Sequence, residues 1–186
     1  IGFGGRARVC LVNAELMNPE DYPRSIYDLL DQKYPADQFA IAYPIFGTTA
    51  THVAALYATL GPEEAAAYFT ALNDREIRVV DGNGVVRDLV ADGDIMFGLT
   101  DTDDSIGAIE RGAPVEMVFL DQGEEEMGTL LIPNTVAMVK GGPNIEEAEI
   151  LIDYLLSEAT VSELVEMGWF QLPLRDLDVD QEYFDA

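Results

Sequence analysis

Three short polar blocks contain the residue types in this chain that can hold a charged ligand. They span residues 47–52 (GTTATH), 81–88 (DGNGVVRD) and 98–104 (GLTDTDD). Each is expected to lie where a loop opens a helix. The first amides of a helix lack carbonyl partners and carry the positive end of the helix dipole. Three such openings can form one polar site for an anionic or oxygen-rich ligand.

The first two blocks supply hydrogen-bond donors. Thr48 and Thr49, with the backbone of Ala50, are the best anion-binding candidates, because their hydroxyl and N–H donors point the same way. The alternative is a plain threonine N-cap, worth about 1 kcal/mol. Asn83 is either a turn residue or an amide that reaches the same ligand. Arg87 lies one helical turn later. Its guanidinium either donates two hydrogen bonds to a phosphate or carboxylate of the ligand, or forms an ion pair with a nearby acidic residue.

The third block supplies carboxylates at the end of a predicted strand. Asp101, Thr102 and Asp103 follow that strand, and α/β sheets place ligands at such strand ends. The alternative is a cluster of helix-capping residues. Asp103 and Asp104 are also candidate metal ligands, because carboxylate oxygens suit hard cations.

Two arginines and one histidine complete the set of candidates. Arg6 and Arg8 lie two residues apart on a predicted strand and share a face, so one of them is expected to reach the ligand, with Arg6 as the candidate. His52 is expected one turn into a helix as a core or boundary residue. A hydrolase triad of Ser25, His52 and an aspartate is excluded, because the Gly-x-Ser-x-Gly elbow is missing.

Composition narrows the classes of function. The net charge is −25 and the only lysines are Lys33 and Lys140, which excludes the basic patch that nucleic-acid binding needs. The apolar runs are too short to span a bilayer. Cys10, the single cysteine, allows no intrachain disulfide and is expected to be buried and inert.

The order of predicted elements indicates α/β architecture with a mainly parallel sheet flanked by helices. Strands are predicted at 6–13, 39–42, 77–80, 95–99, 115–120, 129–132 and 135–139. Helices are predicted at 23–30, 48–60, 62–72, 85–90, 103–111, 144–156 and 157–167. The tail after Leu174 is acidic and is expected to be loosely held.

The ordered set of motifs resembles the ferric-ion-type extracellular solute-binding proteins of ABC importers, which have the type II periplasmic-binding fold. The matching motifs are Gly-Arg-x-Arg-Val at 5–9, Ser-Ile-Tyr-Asp-Leu at 25–29, a Gly-Thr helix opening at 47–48, a Gly-Asn opening at 82–83 and Gly-Leu at 98–99. The resemblance runs over nearly the whole chain, to the helices that end near Trp169.

The resemblance implies a domain division and a missing part. Residues 1–18 would be a hinge strand and lead-in, and 19–120 the second ligand-binding lobe. Residues 121–186 would be the return hinge strands and the C-terminal helices of the first lobe. The N-terminal part of that first lobe would be missing. Exposed hinge strands invite edge pairing, so self-association of the chain is also expected.

The implied function is the substrate-binding component of an ABC importer, without catalysis, in the periplasm or outside the cell and associated with a membrane permease. The ligand would be ferric iron or a small solute bearing a phosphate- or carbonate-like oxyanion. Asp103 and Asp104 stand where iron-binding members carry two tyrosines, which places iron itself in question. Two alternatives stay open: an α/β enzyme acting on a phosphorylated substrate, and a ligand-sensing regulatory domain of the same fold.

Overall fold

A computed structural model describes residues 1–167, 169, 171, 172 and 174. The chain divides into two compact units: a larger unit, Ala7–Leu130, and a smaller unit made of Ile1–Arg6 and the residues from Leu131 onward. The predicted loose tail after Leu174 lies outside the described residues. In the described part, no helix combines the length and the apolar character needed to cross a bilayer.

Strands and helices alternate along the chain. The strands are β1 (Gly2–Asn13), β2 (Phe39–Ala42), β3 (Arg78–Val80), β4 (Phe97–Asp101), β5 (Val115–Val118) and β6 (Leu131–Thr135). The α-helices are α1 (Gly47–Leu60), α2 (Pro62–Asp74), α3 (Asn83–Ala91), α4 (Thr102–Glu110), α5 (Ile145–Leu155) and α6 (Glu158–Glu166). Short 3-10 helices cover Pro19–Asp21, Ile26–Leu30 and Ala36–Gln38.

The sheet of the larger unit has the strand order β3-β2-β4-β1-β5. β2 is parallel to both β3 and β4, whereas β1 is antiparallel to both β4 and β5. Four of these strands therefore run the same way and β1 runs against them. The prediction of a mainly parallel α/β sheet is confirmed, with one antiparallel strand inserted beside β4.

Apolar residues fill both faces of this sheet. One cluster centres on Phe39 and Phe97, whose rings stack with centroids 5.0 Å apart, and it includes the buried Cys10. The other cluster packs Val86 and Val90 of α3 against the opposite face. Burial raises the pKa of the Cys10 thiol, which keeps it protonated and inert as expected.

Three predicted elements differ in the structure. The helix predicted at 23–30 is a 3-10 helix, Ile26–Leu30, held at its start by a capping box between Ser25 and Asp28. The two strands predicted at 129–132 and 135–139 are replaced by one strand, β6. Pro133 and Asn134, which predicted a break, lie inside β6, and proline is tolerated in a strand that is not central.

The smaller unit is built around the start of β1. β6 pairs with β1, and Gly5 exchanges two backbone hydrogen bonds with Leu172, of 2.8 and 2.7 Å. The ring of Phe3 stacks on Trp169 with centroids 5.6 Å apart. Helices α5 and α6 belong to the same unit.

Gly98 lies where α3 crosses β4 and leaves no space for a side chain. A Cβ atom there would lie 2.4 Å from a methyl group of Val86 and 2.9 Å from the carbonyl oxygen of Ala40. We therefore expect Gly98→Ala to lower the free energy of unfolding by about 1–3 kcal/mol, because the added methyl group would overpack the contact between α3 and β4. Urea denaturation measures this change.

The matched control for this substitution is Gly84→Ala on α3. A Cβ at Gly84 would meet only ordinary contacts, the first of them 3.7 Å from Arg87 Nη2. We expect Gly84→Ala to leave stability unchanged or to raise it by about 0.5–1 kcal/mol, since alanine suits a helix better than glycine. Equal losses in the two variants would contradict the close packing at Gly98.

Candidate functional site

The parallel strands bring the three polar blocks to one edge of the sheet. β2 leads into α1, β3 into α3 and β4 into α4, so the carboxyl ends of three neighbouring strands each precede a helix. The first turns of these helices therefore meet beyond the same sheet edge, which is where open α/β sheets bind ligands. The predicted convergence of Thr48, Asn83 and Asp101 follows from this topology and is confirmed by their contacts.

Asp101 lies at the centre of the converging turns. Its Oδ2 accepts hydrogen bonds from the Thr48 hydroxyl at 2.6 Å and from Asn83 Nδ2 at 2.9 Å. Its Oδ1 accepts from Arg8 Nη1 at 2.6 Å. The carboxylate thus joins β1, α1, α3 and β4 through charge-assisted bonds, the stronger class of hydrogen bond.

Arg8 reaches this centre from the antiparallel strand. In the register of β1 and β4, Arg8 and Asp101 are directly opposite each other, which brings their side chains within reach. Their side chains are only 3% and 1% exposed, so this is a buried ion pair. Burial of two charges is tolerated because each neutralises the other and makes further hydrogen bonds.

Arg6, the sequence candidate from this strand, is not among the residues bonded to Asp101 in the described part of the chain. It belongs to the smaller unit, where its Nη2 donates to Asn134 Oδ1 at 3.2 Å. The sequence places Arg6 and Arg8 on one face of the strand and offers Arg6 as the candidate. The register of β1 against β4, which no local pattern encodes, selects Arg8 for the cluster around Asp101.

Asn83 links the hydroxyl groups of α1 to Arg8. Its Nδ2 donates to the Thr48 hydroxyl oxygen at 2.8 Å, and its Oδ1 accepts from the Thr49 hydroxyl and from Arg8 Nη1, both at 3.2 Å. Thr48, Thr49, Asn83, Arg8 and Asp101 therefore form one continuous hydrogen-bond network, named here the turn network.

A second polar group flanks the turn network. Arg87 Nη1 donates to Asp104 Oδ1 at 3.2 Å, and its Nε donates to Asp88 at 2.8 Å. The Thr100 hydroxyl donates to the other oxygen of Asp104 at 3.2 Å. Burial and the nearby charge of Asp103 raise the pKa of Asp104, while Thr100 and Arg87 act to lower it. The predicted pairing of Arg87 with nearby acids is thus present.

Three carboxylates lie close enough to share a cation. One oxygen from each of Asp101, Asp103 and Asp104 lies within 4.8 Å of the others. Asp103 and Asp104 are half-buried in the first turn of α4, whose dipole favours negative charge. The sequence candidates for a hard-cation site are therefore brought together.

Two of the predicted donors already have partners within the fold. The backbone N–H of Ala50 donates to the carbonyl of Phe46 at 3.3 Å. Ala50 is the fourth residue of α1, and its N–H is the first that can bond to a carbonyl of the same helix start. The Thr102 hydroxyl oxygen accepts from the backbone N–H of Ala7 at 3.1 Å and is fully buried. Both groups hold elements in place. Among the residues that the structure describes, the backbone amides of residues 47–49 have no hydrogen-bond acceptor, so they are the open donors of α1.

A small cavity lies beneath the turn network. It measures about 20 Å³ and is bordered by Arg8, Thr49 and His52 together with apolar side chains of α1 and α2. Burial, and secondarily the charge of Arg8, lower the pKa of His52 to about 3. His52 is therefore a neutral boundary residue at physiological pH, in line with the expectation from sequence.

The geometry can now be compared with known proteins. The family model for bacterial extracellular solute-binding proteins matches residues 6–176. The chain belongs to that family. A Salmonella typhi relative named "Putative 2-aminoethylphosphonate-binding periplasmic protein" is 26% identical over 166 residues, which is 88% of this chain and 49% of the relative. The chain thus spans about half the length of the curated relatives that it matches.

Two solved structures share the fold. Iron-bound HitA from Pseudomonas aeruginosa matches with a TM-score of 0.84 and 23% identity, over 97% of this chain and 58% of HitA. AfuA from Actinobacillus pleuropneumoniae, with fructose-6-phosphate bound, matches with a TM-score of 0.72 and 24% identity, over 92% and 54%. These matches confirm the type II periplasmic-binding architecture expected from the sequence motifs.

Arg8 is expected to be essential to the stability of the larger unit. Arg8→Met leaves Asp101 buried and without its counter-charge, a change that costs about 3–5 kcal/mol. Urea denaturation followed by circular dichroism measures this loss. Arg78→Met on the exposed start of β3 is the matched control and is expected to change stability by less than about 0.5 kcal/mol. A loss at Arg8 no larger than at Arg78 would contradict the ion pair.

His52 gives a direct test of the cavity beneath the turn network. Its folded pKa of about 3 lies below the ordinary value of 6.5, so the unfolded chain binds the extra proton first. Stability should therefore fall as pH drops from 6.5 toward 3. Because the chain has one histidine, its Cε1–H proton resonance can be followed alone. We expect no titration from pH 8 to 5 in the folded chain, whereas a midpoint near 6.5 would refute the burial of the ring.

Proposed function

We propose that this chain is the solute-recognising part of an ABC importer and captures a small solute without transforming it. The observation that carries the proposal is the meeting of three helix openings at one sheet edge, tied together by Thr48, Asn83 and Asp101. Membership of the extracellular solute-binding family supports the same function. The solute would bind at this edge and favour a closed state through its differential contacts.

The groups at this sheet edge include both anion-binding donors and cation-binding carboxylates. The open amides of residues 47–49 and the guanidinium of Arg87, which is 25% exposed, suit an oxyanion. The carboxylates of Asp103 and Asp104 suit a cation or a cationic group. We therefore propose either a metal ion, with ferric iron as the family candidate, or an oxyanion-bearing solute such as a phosphonate or phosphate ester.

The names of similar proteins support both solute classes. HitA is described as iron-bound, and a Trichodesmium protein of the same fold is described as a complex with iron and citrate ligands. AfuA is described with fructose-6-phosphate bound, and the Salmonella typhi relative is named for 2-aminoethylphosphonate. The carboxylates of Asp103 and Asp104 would repel a purely anionic solute. A solute that carries both an oxyanion and a cationic group, as 2-aminoethylphosphonate does, therefore suits this edge best.

Partners and location follow from the importer role. The closed form would dock on a membrane permease, and the protein would work in the periplasm or outside the cell. The proposed solute-facing groups of this chain are the backbone amides of residues 47–49, Arg87 and Asp103. The side chains of Thr48, Thr49, Asn83 and Asp101 support them from the turn network. The predicted self-association of the chain remains a separate proposal.

An enzymatic role is less well supported. An enzyme acting on a phosphorylated substrate would need a general base near Thr48, and the candidates there are Asp101 and Asp103. Asp101 is 1% exposed and already accepts three hydrogen bonds, including one from Arg8, so its carboxylate is held away from proton transfer. The Salmonella typhi relative and AfuA are both named as binding proteins.

A panel of solutes tests the proposed function. Melting temperature and isothermal titration are measured with ferric citrate, inorganic phosphate, 2-aminoethylphosphonate and fructose-6-phosphate. A solute present at 100 times its Kd should add about 2.7 kcal/mol to the free energy of unfolding. We expect the phosphonate or the phosphate ester to do so, and a chain that none of the four compounds stabilises would contradict the proposal.

Arg87→Gln shows whether the bound solute lies at the three helix openings. Loss of one charge-assisted hydrogen bond should weaken the solute that binds by about tenfold or more. Arg78→Gln is the control, because Arg78 lies at the opposite end of β3 from the helix openings and is exposed. Equal affinity of the two variants would place the solute elsewhere on the chain.

A further inference from the structure

The side-chain donors of the turn network that face Asp101 are all used within the protein. The Thr48 hydroxyl has one hydrogen, and it goes to Asp101. Asn83 Nδ2 has two, which go to Thr48 and Asp101. Arg8 Nη1 has two, which go to Asp101 and to Asn83 Oδ1. No hydrogen on these three groups is left for an anion from solution.

The rest of the Arg8 guanidinium offers no room for an anion either. Its Nε and Nη2 are buried and make no hydrogen bond within the described residues. Arg8 borders the cavity of about 20 Å³ under the network. A space of that size holds about one water molecule and cannot hold a tetrahedral anion such as phosphate.

The charges of the site also disfavour the binding of a free anion. Arg8 is already neutralised by Asp101 at 2.6 Å, with both side chains almost fully buried. A second anion on the same donors would face the Asp101 carboxylate at short range, where like charges repel strongly. It could bind only by displacing Asp101 from Arg8, Thr48 and Asn83.

We infer that Asp101 acts as a built-in anion, a carboxylate that permanently occupies the place where these donors could hold a free phosphate or carbonate. The inference rests on the proposed function, since it names which part of the site the solute does not use. Solute binding by this chain then needs no free inorganic anion. The oxyanion of a bound solute is left to the amides of residues 47–49 and to Arg87.

Chemical rescue of Asp101→Ala tests this inference. Removing the carboxylate should open a space lined by Arg8, Thr48 and Asn83 that formate can fill. We expect the melting temperature of Asp101→Ala to rise by about 3–5 °C per tenfold increase in formate once the space is occupied. The wild type should show no such rise, because its own carboxylate fills the space.

Asp121→Ala is the matched control. Asp121 is also buried and its Oδ2 accepts from the backbone N–H of Ile26 at 3.1 Å, but it has no ion-pair partner among the described residues. We expect its melting temperature to be insensitive to formate. The inference is overturned if formate stabilises the wild type, Asp101→Ala and Asp121→Ala to the same extent, or if it fails to stabilise Asp101→Ala.

Two further measurements cover other outcomes. If Asp101→Ala is unfolded without formate, circular dichroism with added formate decides: recovery of the folded signal supports the inference, and no recovery counts against it. In Asp101→Ala, formate should shift the Asn83 side-chain NH₂ resonances in a saturable way, because it would occupy the space next to Nδ2, and unchanged resonances would overturn the inference. Neither result depends on finding the solute, so failure here is distinct from failure of the proposed function.

Discussion

The buried ion pair between Arg8 and Asp101 is the interaction on which the rest of the site depends. A guanidinium and a carboxylate taken out of water are tolerated only if each is neutralised and hydrogen-bonded. Asp101 therefore recruits the Thr48 hydroxyl and the Asn83 amide, and Arg8 recruits the oxygen of Asn83. These demands fix the first turns of α1 and α3 against the end of β4.

The antiparallel strand makes this pair possible. Parallel strands β2, β3 and β4 deliver three helix openings to one edge, but the cation that these openings supply, Arg87, pairs with Asp88 and Asp104 and not with Asp101. β1 runs the other way beside β4 and brings Arg8 opposite Asp101. A chain with a net charge of −25 thus places one of its few cations at the point where an acid must be buried.

The site divides into a fixed part and an open part. In the turn network, every donor that faces Asp101 is used within the protein, so the network acts as a rigid support. The amides of residues 47–49, Arg87 and the acids of α4 remain at the partly exposed edge. Such a division suits a receptor that must hold its geometry before the solute arrives.

The meeting of the three helix openings can be predicted from the sequence, whereas the hydrogen-bond partners within the turn network cannot. The blocks that contain Gly-Thr, Gly-Asn and Gly-Leu each predict a strand that leads through a turn into a helix. The parallel arrangement of these strands then brings Thr48, Asn83 and Asp101 together. The choice of Arg8 over Arg6 depends on the register between β1 and β4, which is a long-range pairing. The roles of Ala50 and Thr102 depend on which backbone groups lie next to them, and the single strand β6 depends on its pairing with β1.

Amide chemical shifts measured during titration with 2-aminoethylphosphonate test the central claim most directly. If the three helix openings form one solute site, the largest shifts should fall together on residues 47–49, 83–87 and 102–104 and should saturate with a single dissociation constant. Shifts confined to one of these turns, or concentrated on α5 and α6, would contradict the account.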